Sequence, residues 1–501
     1  MSGAPPLVVL GFDAGDPGLL VRWADAGHLP TLARVLEDGC WARTAGPELV
    51  CEHGTWVSLT SGVSRGRHGY YYYRQLVPGT YDLRTVTGRD VTAAPFWASL
   101  RGTGRRAAIF DVPDVVPVPG LAGVQLADWA VHNPSGPPVT EPPDLLRRAP
   151  RVARPSAPIH ERPGASPATD RRILRRLLER ARRKGELCRA LVEGGRWDLV
   201  VAVFGESHTA SHQFWKYLEN GGGAEELVDA IRLVHIEIDR QMGRLLDVLP
   251  REANVVILSS TGMKPQYPTG GLAEAFLRGL GYQVGAVRDQ PSWRPLDVAR
   301  RWIPDSWRVA ASRGLPREAR ERLLADGFRG ATDWSRTRAF AIPSAYTSFL
   351  RVNLRGREPR GVVEPGAEYD ALLASLEADL AALVDPATGG PAVLRVARAT
   401  DLFGGGPPVT LPDLFVEWQP SGRFVRRLLH PRAELTQERP EFCRDSDHSD
   451  AGFLAASGPA VEARGFVGEM DLLDVAPSLV GLLEGKTVTA FGPRRVAPAR
   501  G

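Results

Sequence analysis

Short apolar runs and longer amphipathic segments alternate along this chain. The apolar runs cover residues 7–14, 106–112, 198–204 and 254–260. The segments between them place apolar residues three and four positions apart, which predicts helices at 17–26, 29–38, 54–62, 169–194 and 224–248. Strands that are apolar throughout and separated by helices are typical of parallel sheets buried on both faces. The pattern therefore predicts an α/β fold with a mostly parallel central sheet covered by helices on both faces.

The second half of the chain continues this pattern after an interruption. We predict that it resumes with 338–354, a helix at 367–384, a strand at 412–418, a strand at 452–458 and a final helix near 471–484. The prediction is one domain over 1–490 and a tail at 491–501. Within the domain we expect a proline-rich irregular excursion at 113–168 and a cap-like insertion at 264–335.

Composition narrows the class of protein. The 501 residues are 43% hydrophobic and 24% charged, with a net charge of +4, which excludes a disordered, collagen-like or disulfide-scaffold chain. No apolar stretch is long enough to span a bilayer, and the first residues lack the features of a secretory signal, so we expect no membrane partner. Four scattered cysteines fit a cytoplasmic protein. The basic run at 171–184 has helical leucine spacing, which favours a solvated helix face over a phosphate-binding patch, and we expect no nucleic-acid partner.

Polar residues with metal-binding side chains stand at the ends of the predicted strands. Asp13 ends the first strand, His208 and His212 follow the strand at 198–204, and His448 precedes the strand at 452–458. Glu52 lies at the start of an early helix. In parallel sheets, ligands bind beyond the carboxyl ends of the strands. We therefore expect a small-molecule site at this edge.

His208 and His212 are four residues apart and would share one face of a helix. Two imidazoles one turn apart are a common pair of metal ligands. The spacing alone is equally compatible with two ordinary histidines.

Several longer segments resemble the alkaline phosphatase superfamily, in particular its type I phosphodiesterase/nucleotide pyrophosphatase branch. They are GFDAGDPGLL, LPTLARVLEDG, TWVSLTSGVSRGRHGYYYY, VAVFGESHTASHQFW, VNLRGREPRGVV, LVDPATGG, HSDAGFLAASGPAV and DLLDVAPSLVGLL. The resemblance extends over most of the chain. It implies an alkaline phosphatase-like fold and an enzyme that acts on phosphate or sulfate esters or phosphodiesters.

The resemblance also implies two divalent metals and a Thr or Ser nucleophile, and here the chain departs from the family. The nucleophile position falls on Glu52, with Cys51 one residue and Thr55 three residues away. His208 stands where the family has an aspartate. Ser260 and Thr261 replace an aspartate and a histidine. Asp13, His212 and His448 match the family pattern.

These departures divide the expected ligands into two sets. Carried over, one site would consist of His208, His212 and His448, whereas the other has lost an imidazole and a carboxylate. Hydroxyls are poor ligands for a transition metal. We therefore predict one divalent transition metal, with Zn preferred over Fe, Mn or Cu, held by these three histidines, and we include Asp13 among the candidate ligands.

Glu52 has three possible roles: a general base, a fourth ligand, or a carboxylate favoured by the helix dipole. We predict the general base, in a metal-dependent hydrolase. Thr55 or Cys51 as a replacement nucleophile stays open. Two other functions remain alternatives: a redox or lyase tailoring enzyme with a three-histidine Fe, Mn or Cu site, and a non-catalytic binding relative. Oligomeric state is not predicted.

Overall fold

The computed structural model describes residues 4–149, 158–220, 224–286, 317–440 and 443–488. The predicted tail at 491–501 lies outside the described residues, as do 150–157 of the predicted excursion and 287–316 of the predicted insertion.

The strands in chain order are β1 (Leu7–Phe12), β2 (Cys40–Ala45), β3 (Arg74–Leu76), β4 (Leu83–Thr85), β5 (Ala107–Phe110), β6 (Gly123–Ala127), β7 (Val139–Glu141), β8 (Leu199–Phe204), β9 (Asn254–Ser259), β10 (Met263–Pro265), β11 (Ala339–Ile342), β12 (Ser348–Val352), β13 (Val393–Arg398), β14 (Leu414–Trp418), β15 (Arg427–His430), β16 (Ala433–Thr436), β17 (Ser446–His448), β18 (Gly452–Ser457) and β19 (Gly465–Asp471).

The α-helices of the described residues are α1 (Pro17–Asp25), α2 (Pro30–Asp38), α3 (Thr55–Ser61), α4 (Arg65–His68), α5 (Leu145–Arg148), α6 (Pro167–Val192), α7 (Glu206–Asn220), α8 (Ala230–Leu246), α9 (Gly270–Gly279), α10 (Arg317–Gly330), α11 (Ala367–Ala381), α12 (Ala399–Phe403) and α13 (Val475–Leu483).

The main sheet has nine strands in the order β19-β2-β18-β9-β1-β8-β5-β6-β7. The central strands β9, β1, β8, β5 and β6 run parallel to one another, while β18 and β7 pair antiparallel with their neighbours. A mostly parallel α/β sheet was predicted from the apolar runs, and this prediction is confirmed. The parallel strands direct their carboxyl ends to one edge, where the candidate site lies.

Both faces of the main sheet are covered, because alternate residues of each strand enter different cores. Val8, Leu10 and Phe12 of β1 pack in the core that includes residues of α1, α2, α6, α7 and α8. Leu7 and Val9 point the other way and pack with residues of α3 and α13. This two-sided burial explains why the strands read as continuous apolar runs in the sequence.

The proline-rich segment at 113–168 is more regular than its composition suggested. It contains β6 and β7, and β6 pairs in parallel with β5 at the far side of the main sheet. β6 is only partly apolar, with the sequence GVQLA, which hid it from a search for apolar runs. Tertiary pairing rather than local periodicity makes this segment a strand.

The expectation that 338–354 and 412–418 resume the parallel sheet is wrong. These residues form β11, β12 and β14, which belong to a separate four-stranded antiparallel sheet of order β11-β12-β14-β13. Only residues 343–347 connect β11 to β12. Such a short connection cannot hold the crossover that a parallel pair requires, so it imposes antiparallel pairing.

The chain contacts divide the structure into two compact units. Unit 1 comprises 1–72, 87–265 and 444–501, and unit 2 comprises 73–86 and 266–443. The main sheet lies in unit 1, and the four-stranded sheet has its own core in unit 2. The predicted single domain over 1–490 stays a prediction. No helix among the described residues has both the length and the apolar character to cross a membrane.

Candidate metal centre

The candidate site lies in unit 1, at the carboxyl edge of the main sheet. β8 ends at Phe204, and α7 starts at Glu206 and carries His208 and His212 on one face. His448 ends β17, which pairs antiparallel with β10 so that His448 lies opposite Met263. The fold thereby brings together histidines that are 236 positions apart in the chain.

The imidazoles of His208, His212 and His448 form a group in which one nitrogen from each lies within 4.8 Å of the others. His212 Nε2 and His448 Nε2 are 3.2 Å apart. The ring centroids of His208 lie 4.9 Å from His212 and 4.7 Å from His448. The three side chains that the sequence singled out as ligands therefore converge in the structure.

Hydrogen bonds orient two of these rings. His208 Nδ1 lies 3.0 Å from Asp13 Oδ2, and His212 Nδ1 lies 3.0 Å from Ser446 Oγ. When Nδ1 is engaged in this way, Nε2 is the atom left to coordinate a metal. His448 Nδ1 is buried and has no hydrogen-bond partner among the described residues.

Burial favours the neutral form of His212 and His448. Burial lowers the pKa of His212 well below its ordinary value, and the charge of Arg444 adds to this effect. Burial and the neighbouring His208 lower the pKa of His448 to about 3, although Glu52 opposes the shift. Neutral imidazole is the form that offers a lone pair to a metal ion.

The donor set fits a divalent transition metal. Imidazole suits Zn, Cu, Fe and Ni, and catalytic zinc sites commonly have three protein ligands. Two nitrogens bound to a tetrahedral zinc at about 2.0–2.1 Å would lie about 3.3 Å apart, close to the 3.2 Å between His212 Nε2 and His448 Nε2. Within the described residues, this is the one group of three such side chains close enough to share an ion.

Asp13 lies beside the histidines, but its carboxylate is engaged with protein groups. Oδ1 accepts a hydrogen bond from Trp56 Nε1 at 2.8 Å, and Oδ2 faces His208 Nδ1. Burial raises the pKa of Asp13, but the attraction and hydrogen bond of His208, together with the bond from Trp56, hold that pKa below its ordinary value. The geometry is that of a carboxylate orienting a histidine ligand. The role of Asp13 as a direct ligand stays a prediction.

Glu52 lies just before α3 and pairs with the next residue. Its Oε1 is 2.6 Å from His53 Nδ1, and the two side chains are 21% and 20% exposed. Burial raises the pKa of Glu52, but His53 outweighs it and holds that pKa well below its usual value. Between Glu52 and α3, Gly54 has a φ of +81°, and a Cβ there would lie 2.2 Å from the carbonyl oxygen of Tyr70. Only glycine fits this close approach.

The alternative nucleophiles are both occupied by structural contacts. Thr55 is fully buried, and its hydroxyl donates to the carbonyl oxygen of Cys51 at 3.2 Å. Cys51 Sγ lies 3.1 Å from the carbonyl oxygen of Tyr71 and also contacts the Arg65 guanidinium.

Hydroxyls at the end of β9 also bind the backbone, among them that of Thr261, which stands where the family resemblance predicts a histidine ligand. Thr261 Oγ1 donates to the carbonyl oxygen of Ser449 at 2.6 Å. Ser259 Oγ accepts from the Gly15 amide at 2.7 Å and lies 3.0 Å from the carbonyl oxygen of Thr261. These bonds order the loops around the site. Ser260 is buried between them.

Sequence reasoning missed four polar residues of this region. They are His132, Glu161, Arg444 and Asp114. His132 stacks on His208 with ring centroids 3.8 Å apart, and Glu161 lies 3.1 Å from His132 Nε2. His132 and Glu161 come from the proline-rich segment, where periodicity carried little information. In the sequence, the position of Arg444 four residues before His448 was the one sign that a residue of this set lies near the candidate ligands.

Asp114 follows β5 and has an unusual environment. Burial raises its pKa to about 6, although His53 opposes the shift, and Tyr70 Oη donates to its Oδ1 at 3.3 Å. Asp114 also has a left-handed backbone, with φ of +57°, as do Ala14 after β1, Asp111 after β5 and Asp128 after β6. Such conformations are costly for residues other than glycine and cluster at functional sites.

Comparisons with known proteins agree with this architecture. The family model for type I phosphodiesterase/nucleotide pyrophosphatase matches residues 7–280. No curated protein matches the chain. A crystal structure of phosphonoacetate hydrolase from Sinorhizobium meliloti 1021 in complex with phosphonoacetate is similar at 13% identity and a TM-score of 0.53, and the match covers 96% of each chain. The same hydrolase with phosphonoformate matches with a TM-score of 0.50, again at 13% identity and 96% coverage of each chain.

Likeness at this identity shows the fold, and the predicted alkaline phosphatase-like fold is confirmed. The family model spans more than half of the chain, and the family consists of hydrolytic enzymes that normally use divalent metals. This chain therefore belongs to the type I phosphodiesterase/nucleotide pyrophosphatase family.

Proposed function

We propose that this protein hydrolyses a phosphodiester or a related phosphate or sulfate ester at a single metal ion held by His208, His212 and His448. The observation that carries the proposal is the convergence of three imidazoles in a member of a hydrolase family. Zinc is the preferred metal, because three histidines with an open position are a frequent catalytic zinc arrangement.

A divalent ion bound there would supply Lewis acidity toward the ester oxygens and the attacking water. Three neutral ligands would leave its charge uncompensated by the residues that bind it. Asp13 would keep His208 in the orientation that presents Nε2, and Ser446 would do the same for His212.

Glu52 and His53 are the proposed proton acceptors. A carboxylate with a lowered pKa is a weak base by itself, but it can orient an imidazole and stabilise its protonated form. We therefore propose that the pair takes the proton of the attacking water, with Glu52 holding His53. Attack by water in one step replaces the family's route through a Thr or Ser nucleophile, since Thr55 and Cys51 are engaged elsewhere.

The proposal is tested by metal content and hydrolysis in the same preparations. The experiment compares wild type with the His212→Ala/His448→Ala double variant and, as a control, with His160→Ala, because His160 is an exposed histidine of the same unit. The readouts are elemental mass spectrometry and hydrolysis of bis(4-nitrophenyl) phosphate. We expect about one equivalent of metal per chain in wild type and the control, and neither metal nor hydrolysis in the double variant.

Other results would reject parts of the proposal. Two equivalents in wild type would mean that the second family site is still functional. Tight iron, manganese or copper without turnover of ester substrates would favour the redox or lyase alternative. A wild-type protein that takes up no metal, even after incubation with zinc, iron and manganese, would leave the non-catalytic binding function.

A further inference from the structure

The Arg444 guanidinium is held at the edge of the histidine group by a buried carboxylate. Its Nε donates to Glu161 Oε2 at 2.7 Å, and its Nη2 contacts the same oxygen. Its third nitrogen, Nη1, lies 3.3 Å from His212 Nε2. The side chain is 13% exposed, and that of Glu161 is 3% exposed. Two of the three nitrogens therefore anchor the group, and the third faces the candidate metal ligand.

A second layer of polar side chains lies behind Glu161. Its other oxygen, Oε1, lies 3.1 Å from His132 Nε2, and His132 Nδ1 lies 2.9 Å from Thr209 Oγ1. Thr209 belongs to α7, the helix that carries His208 and His212. The carboxylate also offsets the charge of the arginine, so a cation can occupy the neighbouring site at a lower electrostatic cost.

If His212 serves as a metal ligand, its Nε2 can no longer accept a hydrogen bond from Arg444 Nη1. Nε2 has a single lone pair, and a metal ion that uses it leaves none for an N–H donor. The Nη1 hydrogen that faces His212 Nε2 would then lose this acceptor and be directed at whatever else is bound beside the metal. A planar guanidinium next to a divalent cation is suited to an acceptor that carries negative charge, above all a phosphate oxygen.

We propose that Arg444 is a substrate-binding residue that donates from Nη1 to a non-bridging oxygen of an anionic phosphate ester, with Glu161 and His132 as its positioning residues. This inference rests on the proposed function and assigns the residue that recognises the negative charge of its substrate. Negative charge on the non-bridging oxygens is present in the ground state and in the transition state, so the contact from Arg444 should act mainly on substrate binding and KM.

The test measures the binding of inorganic phosphate by isothermal titration calorimetry, together with zinc content, in full-length protein loaded with zinc. The variants are Arg444→Met, Arg444→Lys and Glu161→Gln. Arg162→Met serves as the control, because Arg162 is an exposed arginine next to Glu161 in the chain. Thermal unfolding of each variant reports on folding.

Arg444→Met should keep the zinc content of wild type and bind phosphate about 10- to 100-fold more weakly, as expected for the loss of a hydrogen bond between charged groups. Arg444→Lys should recover part of this affinity, because it restores the charge without the fork geometry. Glu161→Gln should weaken phosphate binding less than Arg444→Met does, and Arg162→Met should match wild type.

Phosphate affinity that is unchanged in Arg444→Met with zinc retained would overturn the inference and leave the proposed function intact. Loss of zinc in both Arg444→Met and Arg444→Lys, with normal thermal unfolding, would also overturn it, since the arginine would then act on the metal ligands. Unchanged affinity in Glu161→Gln would overturn the positioning role. A wild-type protein that takes up no zinc would overturn the proposed function, and this inference with it.

Discussion

Two sides of the same sheet edge use their polar atoms in different ways. On the histidine side, formed by His208, His212 and His448, the side-chain nitrogens converge on one another. On the hydroxyl side, formed by Ser259 and Thr261, the side-chain oxygens bind backbone groups of neighbouring loops. The family resemblance predicts metal ligands on both sides, whereas in this chain the proposed ligands lie on the histidine side and the hydroxyls of the other side bind the backbone.

A hydroxyl at a position where the family resemblance predicts a metal ligand can thus be stabilised by the protein alone. Ser259 and Thr261 are buried, and their hydroxyls have the partners that buried polar groups require. Asp13 and Glu52 are each paired with a histidine: Asp13 with His208, and Glu52 with His53. Substitutions of these two carboxylates therefore test whether the histidine side binds a metal and supports hydrolysis.

The largest effect is expected at Glu52. Glu52→Gln should lower kcat for hydrolysis by about 10²- to 10⁴-fold, the usual contribution of a general base, because the amide no longer supports a protonated His53. Metal content should stay at the wild-type value, since Glu52 is not part of the histidine group. The checks are steady-state kinetics and elemental analysis on one preparation.

His53→Gln is the matched single variant for a double-mutant comparison with Glu52→Gln. If the two side chains act as a unit, the double variant should be little slower than either single one. Metal loss in Glu52→Gln would instead assign Glu52 as a fourth ligand, and unaltered kcat would remove it from the mechanism.

A smaller effect is expected at Asp13. Asp13→Asn should weaken metal affinity by about 10- to 100-fold, as found when the hydrogen-bond partner of a ligating histidine is replaced. Competition with a chromophoric chelator measures this affinity. Ser446→Ala, which removes the corresponding partner of His212, is the matched variant and should shift affinity in the same direction. Complete loss of metal in Asp13→Asn alone would show that Asp13 coordinates the ion directly.

The smallest effect is expected on the hydroxyl side. Thr261→Val keeps the shape of the side chain but removes the hydrogen bond to Ser449, so it should lower the free energy of unfolding by about 1 kcal/mol. Metal content should not change. Urea denaturation and elemental analysis are the two measurements. A variant of unaltered stability that has lost metal would reject the division into two sides.

Local sequence patterns correctly predicted the strands and helices whose burial follows a simple period along the chain. The apolar runs identified β1, β8 and β9, because strands buried on both faces are apolar at every position. The i, i+4 spacing placed His208 and His212 on one face of α7. The same reasoning failed for β6, which is only partly apolar, and for β11, β12 and β14, whose apolar runs fit a parallel or an antiparallel sheet equally well.

The residues of the candidate site were also predicted in part. Strand-end position and family resemblance indicated Asp13, His208, His212 and His448, and the structure brings them together. His132 and Glu161 were not predicted, because they lie in a segment without regular periodicity, and its sequence does not indicate which strand end these residues contact. The pairing of Glu52 with His53 also depends on side-chain conformations around Gly54 that no spacing rule describes.

The family and the α/β class could be inferred from the amino-acid sequence, and so could the three candidate histidines, because these follow from local periodicity and from motifs that are continuous in the chain. The partner of each polar atom, in contrast, is known from the folded structure alone. The tertiary structure directed Asp13 toward His208, engaged the hydroxyls of Ser259 and Thr261 with backbone groups, and anchored Arg444 on Glu161 beside the histidines. Hydrogen-bond partners depend on distances of a few ångströms between segments hundreds of residues apart, and those distances exist only after the sheet has formed.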